Sequence, residues 1–187
     1  MRWLPLMLGI ATMASAVNAQ NPSPSAPVAT TAPTSACAMP EFRQFDFWKG
    51  EWDVTSQGKP AGRSRVETIL DDCALLENWR GASGTEGKSF NTYNTSTKRW
   101  EQYWVDGTGA PLHLSGGLVD GKMVLEGTRL TPNANTGAMQ HERITWTPNA
   151  DGSVRQFWET STDEGKSWTI SFDGLYRKAA IANPSHT

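Results

Sequence analysis

The side chains with the most binding chemistry in this sequence are its tryptophans. Nine occur in 187 residues, and an indole combines a large, rigid apolar face with one hydrogen-bond donor. Trp79, Trp104, Trp146 and Trp158 fall within runs that read as strands. Trp104 shares its alternation phase with Gln102 and Trp100, and Trp158 shares its phase with Gln156. This set predicts an amphipathic pocket for a flat or apolar small molecule. Ordinary core and cross-strand aromatic packing is the alternative. Glu77 brings a charge into the same set. It is in phase with Leu75 and Trp79, so either it points inward with them or that face is solvated and Leu76 points in. An inward Glu77 needs a partner, because an unpaired buried charge is costly, and Arg80 or Arg65 could serve. A carboxylate–arginine pair in an aromatic cavity would orient a ligand or act as an acid–base group.

The other titratable residues are less pointed. Of three histidines, His186 is near the C-terminus, while His113 and His141 stand alone. No carboxylate–Ser or Cys partner is recognisable by spacing, so no catalytic residue is assigned. His113 joins the candidate pocket set, since a barrel can bring distant strands to one cavity. A cavity histidine could ligate haem, but no cofactor is expected. No Cys/His spacing resembles a zinc site, and no metal is expected. Glu67, Glu101, Glu126, Glu142 and Glu159 sit mid-strand and are expected mostly on the outer face, paired with Arg or Lys across strands. Ser161 to Trp168 fits the Asp-box pattern S-x-D-x-G-x-[ST]-W, which predicts a hairpin turn held by Asp and Ser side chains, with Gly165 at positive φ and Trp168 packed beneath.

Strands must position these residues. Gly50–Ser56, 63–70, 73–79, 88–93, 99–105, 112–118, 123–130, 142–147, 154–160 and 167–177 are short, rich in alternation and separated by turn residues. Gly116-Gly117 suggests a bulge, and Asp120-Gly121 and Asp151-Gly152 suggest two-residue hairpins. No long helical period appears. Tight consecutive hairpins favour a meander, and a meander of about ten strands leaves two edges unless it closes. The predicted class is all-β, an up-and-down antiparallel barrel, with a two-sheet sandwich as the alternative. Ahead of the first strand, Phe42, Phe45 and Trp48 recur at spacing three behind Pro40. They predict a short helical turn carrying an aromatic plug.

The chain divides into unequal parts. Arg2 followed by the uncharged apolar run Trp3–Val17, ending in Val17-Asn18-Ala19, reads as a signal peptide over 1–19; Ala14-Ser15-Ala16 is a second cleavage candidate. Residues 20–36 are a Pro/Ala/Ser/Thr-rich linker without charge. A folded domain over 37–178 and a flexible tail over 179–187 follow. The expected location is therefore periplasmic or secreted, without membrane insertion after cleavage. In an exported chain Cys37 and Cys73 are expected to form a disulfide, two buried thiols being the alternative. Net charge is −2 with both signs interspersed, which argues against nucleic acid as partner. The sequence does not specify an oligomeric state.

Gly50-Glu51-Trp52, following an aromatic turn, resembles the G-x-W signature of lipocalins and related barrels. In those proteins the tryptophan closes one barrel end under a basic residue from the last strand, a role the resemblance gives to Arg177. The stretches F-D-F-W-K-G-E-W-D-V, A-L-L-E-N-W-R-G, G-K-S-F-N-T-Y-N and F-D-G-L-Y-R-K are also similar to a family of exported bacterial proteins of unassigned function. That resemblance implies a lipocalin-like fold and no particular activity. The function expected is binding of a small apolar or amphipathic ligand inside the barrel. The alternatives are a non-catalytic accessory module with a filled barrel, or a haem-binding or hydrolytic barrel.

Overall fold

The computed structural model describes Ser35, residues 37–130 and residues 139–180. The expected leader over 1–19, nearly all of the linker, residues 131–138 and most of the expected tail, with His186, lie outside the described residues.

Ten strands form: β1 Gly50–Ser56, β2 Lys59–Ile69, β3 Ala74–Gly81, β4 Glu86–Asn94, β5 Arg99–Asp106, β6 Leu112–Val119, β7 Lys122–Leu130, β8 Met139–Pro148, β9 Val154–Ser161 and β10 Thr169–Lys178. Each pairs antiparallel with its sequence neighbour, and β1 pairs with β10, closing an up-and-down barrel. Closure supplies hydrogen-bond partners to every strand and leaves no edge. The alternation is visible in burial: Leu75, Glu77 and Trp79 point in from β3, and Trp100, Gln102 and Trp104 from β5. A sandwich is thereby excluded.

One end of the bore is plugged. Residues Pro40–Arg43 and Asp46–Trp48 form two 3₁₀ turns, the first with Pro40 at its start. They insert Phe42, Phe45 and Trp48, all buried. Phe45 stacks on Trp48 at 4.9 Å and meets Trp100 and Trp146 edge-on at 5.6 and 5.2 Å. Each such fully buried ring stabilises the fold by about 1.5–3 kcal/mol. Trp52 follows on β1 and donates Nε1–H to the Trp48 carbonyl at 2.9 Å. A disulfide between Cys37 and Cys73, with Cα atoms 5.0 Å apart, ties the segment before the plug to the β2–β3 turn. It closes a sequence separation of 36 residues.

Some expectations need correction. The cation over Trp52 is Lys178, whose Nζ lies 3.7 Å from the ring centroid and donates to the Lys49 carbonyl. Arg177 points outward and pairs with Asp151 at 3.2 Å. Side-chain direction alternates along β10, so the residue beside the inward Tyr176 faces out and the next faces in. Gly116-Gly117 forms no bulge: both residues stay in register with β7, and Gly116 also pairs with Trp100 on β5. A Cβ at Gly116 would instead collide with the Val124 carbonyl, so glycine there permits close backbone approach. Register breaks occur on β1 at Val54/Thr55 and on β10 at Ile170/Phe172. Asp120-Gly121 makes the expected tight turn, with φ of 49° and 75°. Asp151-Gly152 belongs to a wider turn closed by the Asn149 amide on the Ser153 carbonyl.

Candidate ligand-binding site

The opposite half of the bore holds a cavity of about 240 Å³. Trp79, Trp104, Trp158 and Phe172 form its sides, and Leu112, Ile144 and Tyr176 line it further. Three of the rings are laid against the wall by glycines. A Cβ at Gly87 would overlap the Trp104 ring, one at Gly174 the Phe172 ring, and one at Gly62 would come within 2.8 Å of Trp79. Each ring occupies the place of the missing side chain, which keeps it out of the centre. Ser171, the residue skipped by the β10 register break, also faces the cavity.

Glu77 is the acid of this cavity. It is 4% exposed, and its two oxygens accept hydrogen bonds from Ser64 Oγ at 2.9 Å and Ser89 Oγ at 3.0 Å. The network continues: Asn91 Nδ2 donates to Ser89 Oγ at 3.0 Å, and Gln102 Nε2 donates to Asn91 Oδ1 at 2.7 Å. Loss of hydration pushes the Glu77 pKa from 4.5 to about 7, against the lowering effect of the two serines. The expected arginine partner is not found. Arg65 pairs with Glu67 and Arg80 with Glu86 on the outside of the barrel. Both alternate out of phase with the inward residues of β2 and β3, so hydroxyls take their place. Tyr176 donates its hydroxyl proton to Gln156 Oε1. Burial and the nearby Glu77 charge push its own pKa well up.

A second buried carboxylate lies behind the cavity wall, bonded to Trp158. Glu142, expected outside, points in and is fully buried. It accepts from Arg129 Nε at 2.6 Å, Gln140 Nε2 at 2.8 Å and Trp158 Nε1 at 2.6 Å. The last bond fixes the Trp158 ring as cavity wall. Trp104 Nε1 likewise donates to Asp106 Oδ2 at 3.2 Å. The Asp106 pKa lies below the usual carboxylate range although partial burial opposes this; bonds from Thr108 and Trp104 and the Arg129 charge lower it. Residues Glu142, Arg129 and Asp106 were not among the predicted site residues. The phase of Glu142 with Ile144 and Trp146 is the signal that would have found it.

Of the predicted set, Glu77, Trp79, Gln102, Trp104, Gln156 and Trp158 meet in this cavity. Trp146 does not; it is fully buried against Phe45 and Trp48 in the plugged end. His113 does not either. It sits on the outer face, Nε2 2.7 Å from Glu101 Oε2, because Leu112 and Leu114 on either side take the inward positions. His141 is likewise out of phase with the inward Glu142, so neither strand histidine lines the cavity. The Asp-box turn has the predicted bonding: Gly165 N donates to Ser161 Oγ at 2.9 Å, and Ser167 N to Asp163 Oδ1 at 2.9 Å. Bonds to Asp163 from the Ser167 hydroxyl, the Ser167 amide and the Ser161 hydroxyl hold its pKa down to about 2. Trp168 is capped by Arg143 at 4.0 Å.

Among the described residues no group of three or more His, Cys, Asp or Glu could hold a metal ion, and no helix is long and apolar enough to cross a membrane. In comparisons with known proteins, no family model and no curated sequence matches the chain.

Proposed function

We propose that this chain is an exported binding protein that holds a small apolar or amphipathic molecule in the barrel. The observation that carries this reading is the cavity itself. Its rings are drawn back onto glycines, so the same half of the barrel that buries a polar network also keeps a void. A filled accessory barrel would have side chains across that space. A mostly apolar concavity with a few fixed polar groups is the general form of a small-molecule site. At about 240 Å³ it suits a ligand smaller than those of the ~300–1,000 Å³ pockets typical of drug-sized molecules.

Export is supported by the leader pattern over 1–19 and is compatible with the disulfide. The closed meander with G-x-W at its first strand supports a lipocalin-like relationship. Native mass spectrometry of the protein purified from its own host, without refolding, tests the function. A co-purified small molecule, released on denaturation, is the expected result. A chain that carries nothing and binds no small apolar compound would contradict the reading.

A further inference from the structure

The cavity combines aromatic faces with a carboxylate that, among the described residues, has no cation beside it. The groups facing Glu77 are Ser64 from β2, Ser89 from β4 and Tyr176 from β10, all uncharged near neutral pH. The outward direction of Arg65 and Arg80 removes the two nearest guanidiniums in the sequence. Lys178, on the same strand as Tyr176, is committed to Trp52 and the Lys49 carbonyl at the plugged end. Elsewhere around the bore, Arg129 lies against Glu142 and acts on Asp106, which leaves one carboxylate in excess there too. Negative charge in the site is therefore unbalanced on the protein side.

Resting on the binding reading above, we propose that the ligand is an organic cation, a protonated amine with an apolar body. Its ammonium hydrogen-bonds the Glu77 carboxylate, and its body lies among Trp79, Trp104, Trp158 and Phe172. Indole faces attract cations through the ring quadrupole, more strongly once water is excluded. A buried carboxylate that accepts from an ammonium gains a charge-assisted bond, whereas a neutral ligand leaves it to bind its proton. An anionic ligand meets repulsion from Glu77. Amine binding consequently releases the proton that Glu77 carries near neutrality, since only the ionised carboxylate pairs with the ammonium.

The test is calorimetric titration of the full chain with phenethylamine, 2-phenylethanol and 3-phenylpropionate at pH 8, on the wild type and on Glu77→Gln. The amine is expected to bind about tenfold or more tighter than the alcohol to wild type, the advantage of one charge-assisted bond. The carboxylate should be the weakest of the three. In Glu77→Gln the amine loses its preference over the alcohol. A wild type that binds the alcohol as tightly as the amine overturns the cation assignment and leaves the cavity reading intact. A folded wild type that binds neither overturns both. Should Glu77→Gln fail to fold, titration of wild type with the amine at pH 6.5 in two buffers of different ionisation enthalpy decides. Net proton release supports the assignment, and none overturns it.

Discussion

At the plugged end of the barrel, Phe45 and Trp48 reach across the bore to Trp100, Trp146 and Tyr176. In the other half, Trp79, Trp104 and Phe172 lie back along the wall. The residue types are the same, and the difference is made by what stands beside them. The plug is carried on 3₁₀ turns inserted into the bore, so its rings have nowhere to go but the centre. The wall rings find glycine on a neighbouring strand or, for Phe172, on their own, and occupy that vacancy. Aromatic content alone does not distinguish a core from a pocket; inward glycines beside the rings do.

The comparison breaks most sharply under truncation. Trp48→Ala should cost about 3–5 kcal/mol, because the plug is close-packed and cannot collapse onto the gap. Trp104→Ala, whose ring already borders a void, should cost about 1–2 kcal/mol. Urea unfolding of both variants measures the contrast, and equal losses would mean that the two ends are packed alike. Cys37→Ser releases the segment before the plug. A loop of this length predicts a loss of about 3–4 kcal/mol, seen as a lowered unfolding midpoint in oxidising buffer, with the wild type falling to match once reduced.

Glu77 sharpens the contrast through pH. Its folded-state pKa of about 7 lies above the 4.5 of an exposed carboxylate. The native protein thus keeps a proton that the unfolded chain gives up across that window, and stability falls as pH rises from 4.5 to about 7. The expected contribution is about 3 kcal/mol, fully lost above pH 7. Glu77→Gln should flatten that part of the profile in chemical denaturation at pH 5 and pH 8, while leaving the plug's aromatic near-ultraviolet circular dichroism unchanged. A slope that persists in the variant would place the titration elsewhere. The smallest effect concerns the lid on Trp52. Lys178→Ala should cost about 1 kcal/mol from the lost cation–π contact, and Arg177→Ala, an exposed pair, about half of that or less. The reverse order in thermal melts would return the role to Arg177.

Much of this architecture is legible in the residues. Alternation, turn chemistry and the absence of any long helical period lead to ten antiparallel strands, and the exposed edges of a meander lead to closure. Glu77 was narrowed to two orientations by phase, and packing chose the one that needs hydroxyl partners. Two things were hidden. Depth along the bore separates Trp146 in the plug from Trp158 in the cavity, and it depends on the stagger of the strands, which no local pattern records. The inward turn of Glu142 runs against the rarity of buried carboxylates. It becomes affordable only through Arg129, Gln140 and Trp158, which the fold brings from β7, β8 and β9. The misassignment of Arg177 for Lys178 is a one-residue slip, and in a strand that is enough to exchange inside for outside.

The most direct test of the division between a plugged end and a receptive half is Gly87→Val. The added side chain occupies the place of the Trp104 ring and drives it into the cavity, at a cost in stability of about 1–3 kcal/mol. Titration of the folded variant and of the wild type with phenethylamine and 2-phenylethanol, followed by tryptophan fluorescence, gives the answer. Saturable one-to-one binding to the wild type that is lost in the folded variant is the predicted result. Unchanged binding in the folded variant would contradict the account.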